Sequence, residues 1–137
     1  LDEAVEIVKS LSEVHLNYLS LIFLCKQTKM NGINSIESLK EHCEYICAKM
    51  PVTNGIESSI PFLHMLRLLT ISLGSAAEVY SKQYNLDIDK VKEILPLAMN
   101  SIPGDYSLTP VGIIIAIINI RNKTNLNLDF KIWIKSI

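Results

Sequence analysis

The stretch TPVGIIIAIINI, Thr109 to Ile120, decides what kind of fold this chain adopts. Thr109 followed by Pro110 reads as a helix start, a hydroxyl cap and then a residue whose missing N–H costs nothing in the first turn. Yet Val111 to Ile118 is dense in β-branched side chains, which favour strands. Periodicity does not separate a buried strand from a buried helix in so short a run. The cap tips the reading toward a helix over about 110–120, with a strand as the alternative.

Just beyond it lies LNLDFKIWIK, residues 126–135. Leu126, Leu128, Phe130, Ile132 and Ile134 alternate with Asn127, Asp129, Lys131, Trp133 and Lys135. That period of two predicts a strand with one apolar face. A strand must pair its backbone groups somewhere. If 111–120 is also a strand, Arg121 to Asn125 closes a C-terminal hairpin. If it is a helix, the tail pairs with another chain or lies alone on the bundle.

Upstream, the spacing predicts helices. The first spans about 2–29, with Leu1, Val5, Val8, Leu11, His15, Tyr18, Ile22 and Cys25 on one face and Asn31-Gly32 as its stop. The second spans about 35–50, capped by Asn34 with Glu37 reaching back, and ended by Pro51. A long third helix is predicted over 59–84. Phe62, Leu66, Leu69, Leu73, Ala76, Tyr80 and Tyr84 form its stripe, and Met65, Leu68, Ile71 and Val79 lie off it. Apolar on more than one side, it reads as the central helix, with Gly74-Ser75-Ala76-Ala77 as a close-approach patch or kink. A fourth helix, about 88–99, starts from Asp87 and meets Pro96, which kinks or stops it. The expected fold is therefore mainly α, a bundle-like single domain of four to five helices over 1–137 with a C-terminal β-strand or β-hairpin.

Composition narrows the function classes. Hydrophobic residues make up 49% and charged residues 20% of 137 residues, enough for one core without metal or disulfide staples. Net charge is −1, so no overall basic field recruits nucleic acid. The distribution is uneven: net −4 over residues 1–105 and net +3 over 106–137. The three cysteines, Cys25, Cys43 and Cys47, fall in apolar helix patterns and read as buried reduced thiols of a cytoplasmic protein. The apolar run Val111 to Ile118 is too short to span a bilayer, so no membrane is expected.

Few residues suggest chemistry. His15 sits on an apolar face and reads as a core histidine. Cys43 and Cys47, four apart beside His42, have metal-compatible spacing but lack the rest of a ligand set, so no metal and no cofactor is expected. His64 and Arg67, with Glu57 near in sequence, form a second candidate cluster for an anion or for acid–base work. No phosphate loop, nucleophile elbow or paired-carboxylate signature is present.

The tail is the strongest candidate site. Trp133, the chain's sole tryptophan, stands between Lys131 and Lys135 on the polar face, with Arg121 and Lys123 upstream. Tryptophan anchors protein interfaces and stacks on bases. The expectation is a non-catalytic accessory subunit or adaptor, not an enzyme, that binds another protein or itself by strand addition. One alternative is an accessory subunit of a nucleic-acid-processing complex that contacts single strands through the basic C-terminal region. Another is a viral helical-bundle protein that binds an amphipathic helix of a host partner.

Overall fold

Hydroxyl and carboxylate side chains set where the helices begin. Ser12, Ser35, Ser75, Asp87 and Thr109 each accept a backbone N–H from the first turn of the helix that follows. The computed structural model describes residues 6–126. Among them six α-helices form: α1 Glu13–Lys26, α2 Ile36–Lys49, α3 Ile60–Met65, α4 Ala76–Tyr84, α5 Ile88–Ile94 and α6 Pro110–Lys123. Two short strands, β1 Leu69–Ile71 and β2 Tyr106–Leu108, pair antiparallel. The protein is thus mainly helical with a small two-stranded sheet.

The central helix is α1. Every residue from Asn17 to Cys25 is buried, around its full circumference. It packs most extensively against α6, then against β2, α4 and the 3-10 turn Ile56–Ser59. Side chains such as Leu19, Leu21, Ile22 and Leu24 are wholly buried. Each contributes roughly 1.5–3 kcal/mol of transfer free energy.

One polar network, buried at Asn17, Ser20 and Asn119 and open at Glu13, joins α1 to α6. Asn119 Nδ2 donates to Asn17 Oδ1 at 3.1 Å and to Ser20 Oγ at 2.9 Å. Lys123 Nζ donates to the same Asn17 oxygen at 2.9 Å and to Glu13 at 2.5 Å. These bonds fix the rotation of α6 against α1, and Asn17 Nδ2 completes the network by donating to the Pro51 carbonyl at 2.9 Å.

Several expected boundaries move. The helix expected over 2–29 is interrupted after residues 6–8 and restarts at Glu13, because Ser12 and His15 form a reciprocal cap. It ends at Lys26 rather than at Lys29, with the Lys26 and Gln27 side chains drawn to the sheet. The second helix starts one residue later than Asn34 would set, since Ser35 rather than Asn34 is the cap. The fourth stops at Ile94, and Pro96 opens a 3-10 turn, Leu97–Ser101.

The helix expected over 59–84 does not form as one element. A 3-10 turn, Ile56–Ser59, leads into α3, which stops at Met65. Arg67 adopts φ 61°, the left-handed region. The Leu68 N–H then reaches the Leu63 carbonyl at 3.1 Å, and the Arg67 N–H reaches the His64 carbonyl at 2.9 Å. That pair of bonds, with Leu63 and Leu68 both wholly buried, is a Schellman stop. The chain continues as strand β1, turns through Gly74 at φ +129° and restarts as α4 behind the Ser75–Glu78 cap. The residues that lay off the expected stripe did so because no single stripe exists.

The ambiguous stretch is a helix. Thr109 caps it, and Ile113, Ile115, Ile117 and Ile120 are buried in it, so packing overrides their strand propensity. The hairpin alternative built on 111–120 is thereby excluded. The strand expected over about 126–135 lies outside the described residues apart from Leu126, which packs half-buried against the core.

Candidate interaction surface

The two-stranded sheet is built from backbone and finished by side chains. Its register pairs Leu69 with Leu108, Thr70 with Ser107 and Ile71 with Tyr106. The neighbouring bonds fix which groups face inward. The Thr109 N–H donates to the Leu68 carbonyl at 3.0 Å, and the Ser72 N–H donates to the Asp105 carbonyl at 2.8 Å. Hydrogen-bonded pairs alternate along an antiparallel ladder, so Thr70 and Ser107 exchange bonds while Leu69, Ile71, Tyr106 and Leu108 turn theirs outward.

On the β2 side three of the four outward groups are taken. Gln27 meets Leu108 with both ends of its amide: Nε2 donates to the Leu108 carbonyl at 3.0 Å, and Oε1 accepts the Leu108 N–H at 2.7 Å. The glutamine thus stands where a third strand would. Lys26 Nζ donates to the carbonyls of Tyr106 at 2.7 Å, Ser72 at 2.7 Å and Pro103 at 3.0 Å. Its partial burial holds the ammonium pKa below the usual lysine value, opposed by nearby Asp105.

On the β1 side they are not. Among the described residues no hydrogen bond is made to the outward N–H or C=O of Leu69 or Ile71. Leu69 is buried at 3% exposure, so the open part of this edge is Thr70 and Ile71, Ile71 at 77%. Met65 and Leu73, within the same stretch of chain, are exposed at 71% and 80%. Large apolar side chains this open, beside an unpaired strand edge, are the surface that proteins ordinarily guard.

The residues singled out from the sequence fall in three places. His64 and Arg67 belong to the stop of α3, beside this edge. The His64 ring packs on Tyr106 with centroids 5.1 Å apart, and the Arg67 carbonyl accepts the Thr109 hydroxyl at 2.7 Å. Both side chains are exposed, and Glu57 is not bonded to either. Arg121 and Lys123 lie at the far end of α6. Arg121 is exposed and has a partner of its own, and Lys123 is committed to α1. That ammonium's hydrogen bond and charge hold the Glu13 carboxyl below the ordinary carboxylate range. Lys131, Trp133 and Lys135 lie outside the described residues.

The sequence pattern does not reveal the exposure of Met65, Ile71 and Leu73, because a helix over 59–84 places them on the sides of a central element. A signal was present: Leu69-Thr70-Ile71 is a short β-prone run between Arg67 and Gly74.

Other clusters are poor candidates for chemistry. His15 Nε2 lies 3.3 Å from Ser59 Oγ, but its Nδ1 accepts the Ser12 N–H. That bond puts the proton on Nε2, the wrong tautomer for a base that would activate a serine. Cys25 and Cys43 are buried and Cys47 is half-buried, all as free thiols. Among the described residues no group of three His, Cys, Asp or Glu side chains is placed to hold a metal. A cleft of about 610 Å³ runs between Thr53–Glu57 and Leu97–Ser101, with Glu57 as its one charged lining residue. No described helix is long and apolar enough to cross a membrane.

One protein-family model matches the chain, over residues 1–95 and over 88–134, so the chain belongs to that family. The family's description names no activity. No curated protein and no solved structure matches the chain.

Proposed function

We propose that this protein is a non-catalytic interaction subunit that binds another polypeptide by accepting an extended segment along the outer edge of β1. The observation that carries this reading is the asymmetry of the sheet. Its β2 edge is largely closed by Gln27 and Lys26, while on the β1 edge the outward backbone groups of exposed Ile71 have no partner among the described residues, beside exposed Leu73. Strand addition supplies main-chain hydrogen bonds for affinity, and alternate side chains supply specificity. Met65, Ile71 and Leu73 would be covered by the apolar face of the incoming segment.

A photo-crosslinking residue at position 73 of the full chain, in cells that make it, tests this. The expected result is one dominant polypeptide adduct that is lost when Ile71→Pro is added. Proline there removes an outward N–H and takes nothing from the β1–β2 ladder. Adducts unaffected by Ile71→Pro, or matched in yield by a crosslinker at exposed Lys92, would overturn the proposal.

A further inference from the structure

We infer that Asn31 is a self-modification site: the Gly32 backbone nitrogen closes on the Asn31 side chain, and the asparagine converts to aspartate and isoaspartate. This inference is independent of the strand-docking reading above.

The chemistry singles out asparagine followed by glycine. The backbone nitrogen after an asparagine attacks the side-chain amide carbon, and a Cβ on the following residue hinders that approach. Glycine has none. Asn31-Gly32 and Asn54-Gly55 are the two such pairs in the chain. All four residues are exposed, and a Cβ built on either glycine would meet nothing within 4 Å.

The backbone separates the two pairs. Asn54-Gly55 lies inside a turn closed by the Ile56 N–H, which donates to the Thr53 carbonyl at 3.2 Å. Gly55 stands at φ 79° and ψ 13°, the third position of a type II turn, and its carbonyl accepts the Ser58 N–H at 3.0 Å. Ring closure there must rotate a peptide unit that these bonds hold. Asn31 and Gly32 make no hydrogen bond among the described residues. The loop is pinned on either side of them. Gln83 Nε2 donates to the Thr28 carbonyl at 2.6 Å, and the Met30 N–H donates to the Tyr84 hydroxyl at 2.9 Å. Beyond the pair, Ser38 Oγ accepts the Asn34 and Ser35 N–H groups, each at 3.0 Å. The free peptide unit is therefore the one that reacts, and the pins keep α1 and α2 in place while it does.

The step balances without an oxidant or reductant. Base removes the Gly32 N–H proton, and the nitrogen bonds to Asn31 Cγ. The Cγ–Nδ2 bond breaks, and the amide leaves as ammonia with a proton from solvent. Water then opens the succinimide ring. Attack at the side-chain carbonyl gives aspartate. Attack at the main-chain carbonyl gives isoaspartate, with the chain routed through the former side chain.

The test incubates the full-length chain, native and in denaturant, at mildly alkaline pH. Peptide mapping by mass and isoaspartyl methyltransferase labelling then follow each asparagine. In the native chain Asn31 should convert about fivefold or more faster than Asn54, the factor that one turn hydrogen bond supplies. In denaturant the two rates should converge, because both are Asn-Gly. The Asn31 rate should rise with pH, with isoaspartate among the products and the helical signal retained. Equal native rates, or Asn54 reacting first, would overturn the inference. So would a rate difference that survives denaturant, since local sequence and not the loop would then set it. Aspartate formed without isoaspartate would exclude ring closure by Gly32.

Discussion

The Leu68 carbonyl oxygen sits 2.6 Å from where a Cβ on Gly112 would stand. The first turn of α6 and the entry to β1 therefore touch backbone to backbone, and glycine is the residue that permits it. The same carbonyl accepts the Thr109 N–H, so the helix start and the strand start are one joint. Gly112→Ala should destabilise the protein by about 1–3 kcal/mol despite alanine's better helix propensity. Urea denaturation checks this. A variant as stable as wild type would mean the joint is looser than described.

Arg67 ends α3 in the left-handed region, where glycine is the usual residue. A side chain there costs roughly 1–2 kcal/mol, partly offset by the greater freedom of glycine in the unfolded chain. Arg67→Gly should raise stability by up to ~1 kcal/mol without changing the helical signal. A loss of stability would mean that the arginine side chain makes a contact that outweighs its backbone strain.

Lys26 holds three carbonyls from the two segments that flank the sheet. Lys26→Met keeps much of the aliphatic stem and removes the ammonium. The expected loss is about 1–3 kcal/mol, the range for hydrogen bonds to a charged group. Crosslinking from position 73 should weaken as well, because the sheet is less firmly held. Thermal unfolding at the wild-type midpoint would show that water replaces the lysine freely.

Burial pushes the thiols of Cys25 and Cys43 up to about 12 and that of Cys47 up to about 11. A thiol whose folded pKa lies above its unfolded value stabilises the fold fully while both states stay protonated. As pH rises past the ordinary thiol range, the unfolded chain ionises first and stability falls. The denaturation midpoint should therefore decline progressively above about pH 8.5. In the native state a disulfide reagent should react slowly with the buried thiols near neutral pH. A midpoint flat into the alkaline range would contradict the burial of these groups.

Helix starts were legible because short polar caps carry them: Asp87 and Thr109 cap where the sequence placed them, and Pro96 stops α5. Stops were less legible. The end of α3 uses Arg67 in a conformation that sequence ordinarily marks with glycine, so the helix was drawn straight through to Tyr84. The interruption before Glu13 was hidden because Leu11 and Val8 keep helical spacing across it. The candidate site was hidden by the same error. Ile71 and Leu73 read as sides of a buried helix, and only the break at Arg67 turns them into an exposed strand edge. Gln27 carried no signal, since its amide acts on a residue 81 positions away.

Amide hydrogen exchange resolved by residue tests the open edge most directly. The Thr70 amide, inside the ladder, should be protected at every protein concentration. The outward amide of exposed Ile71 should exchange freely in the isolated chain and gain protection, about tenfold or more for each ~1.4 kcal/mol of added stability, when a partner segment is bound. Protection of Ile71 that never changes on binding would contradict strand addition on β1.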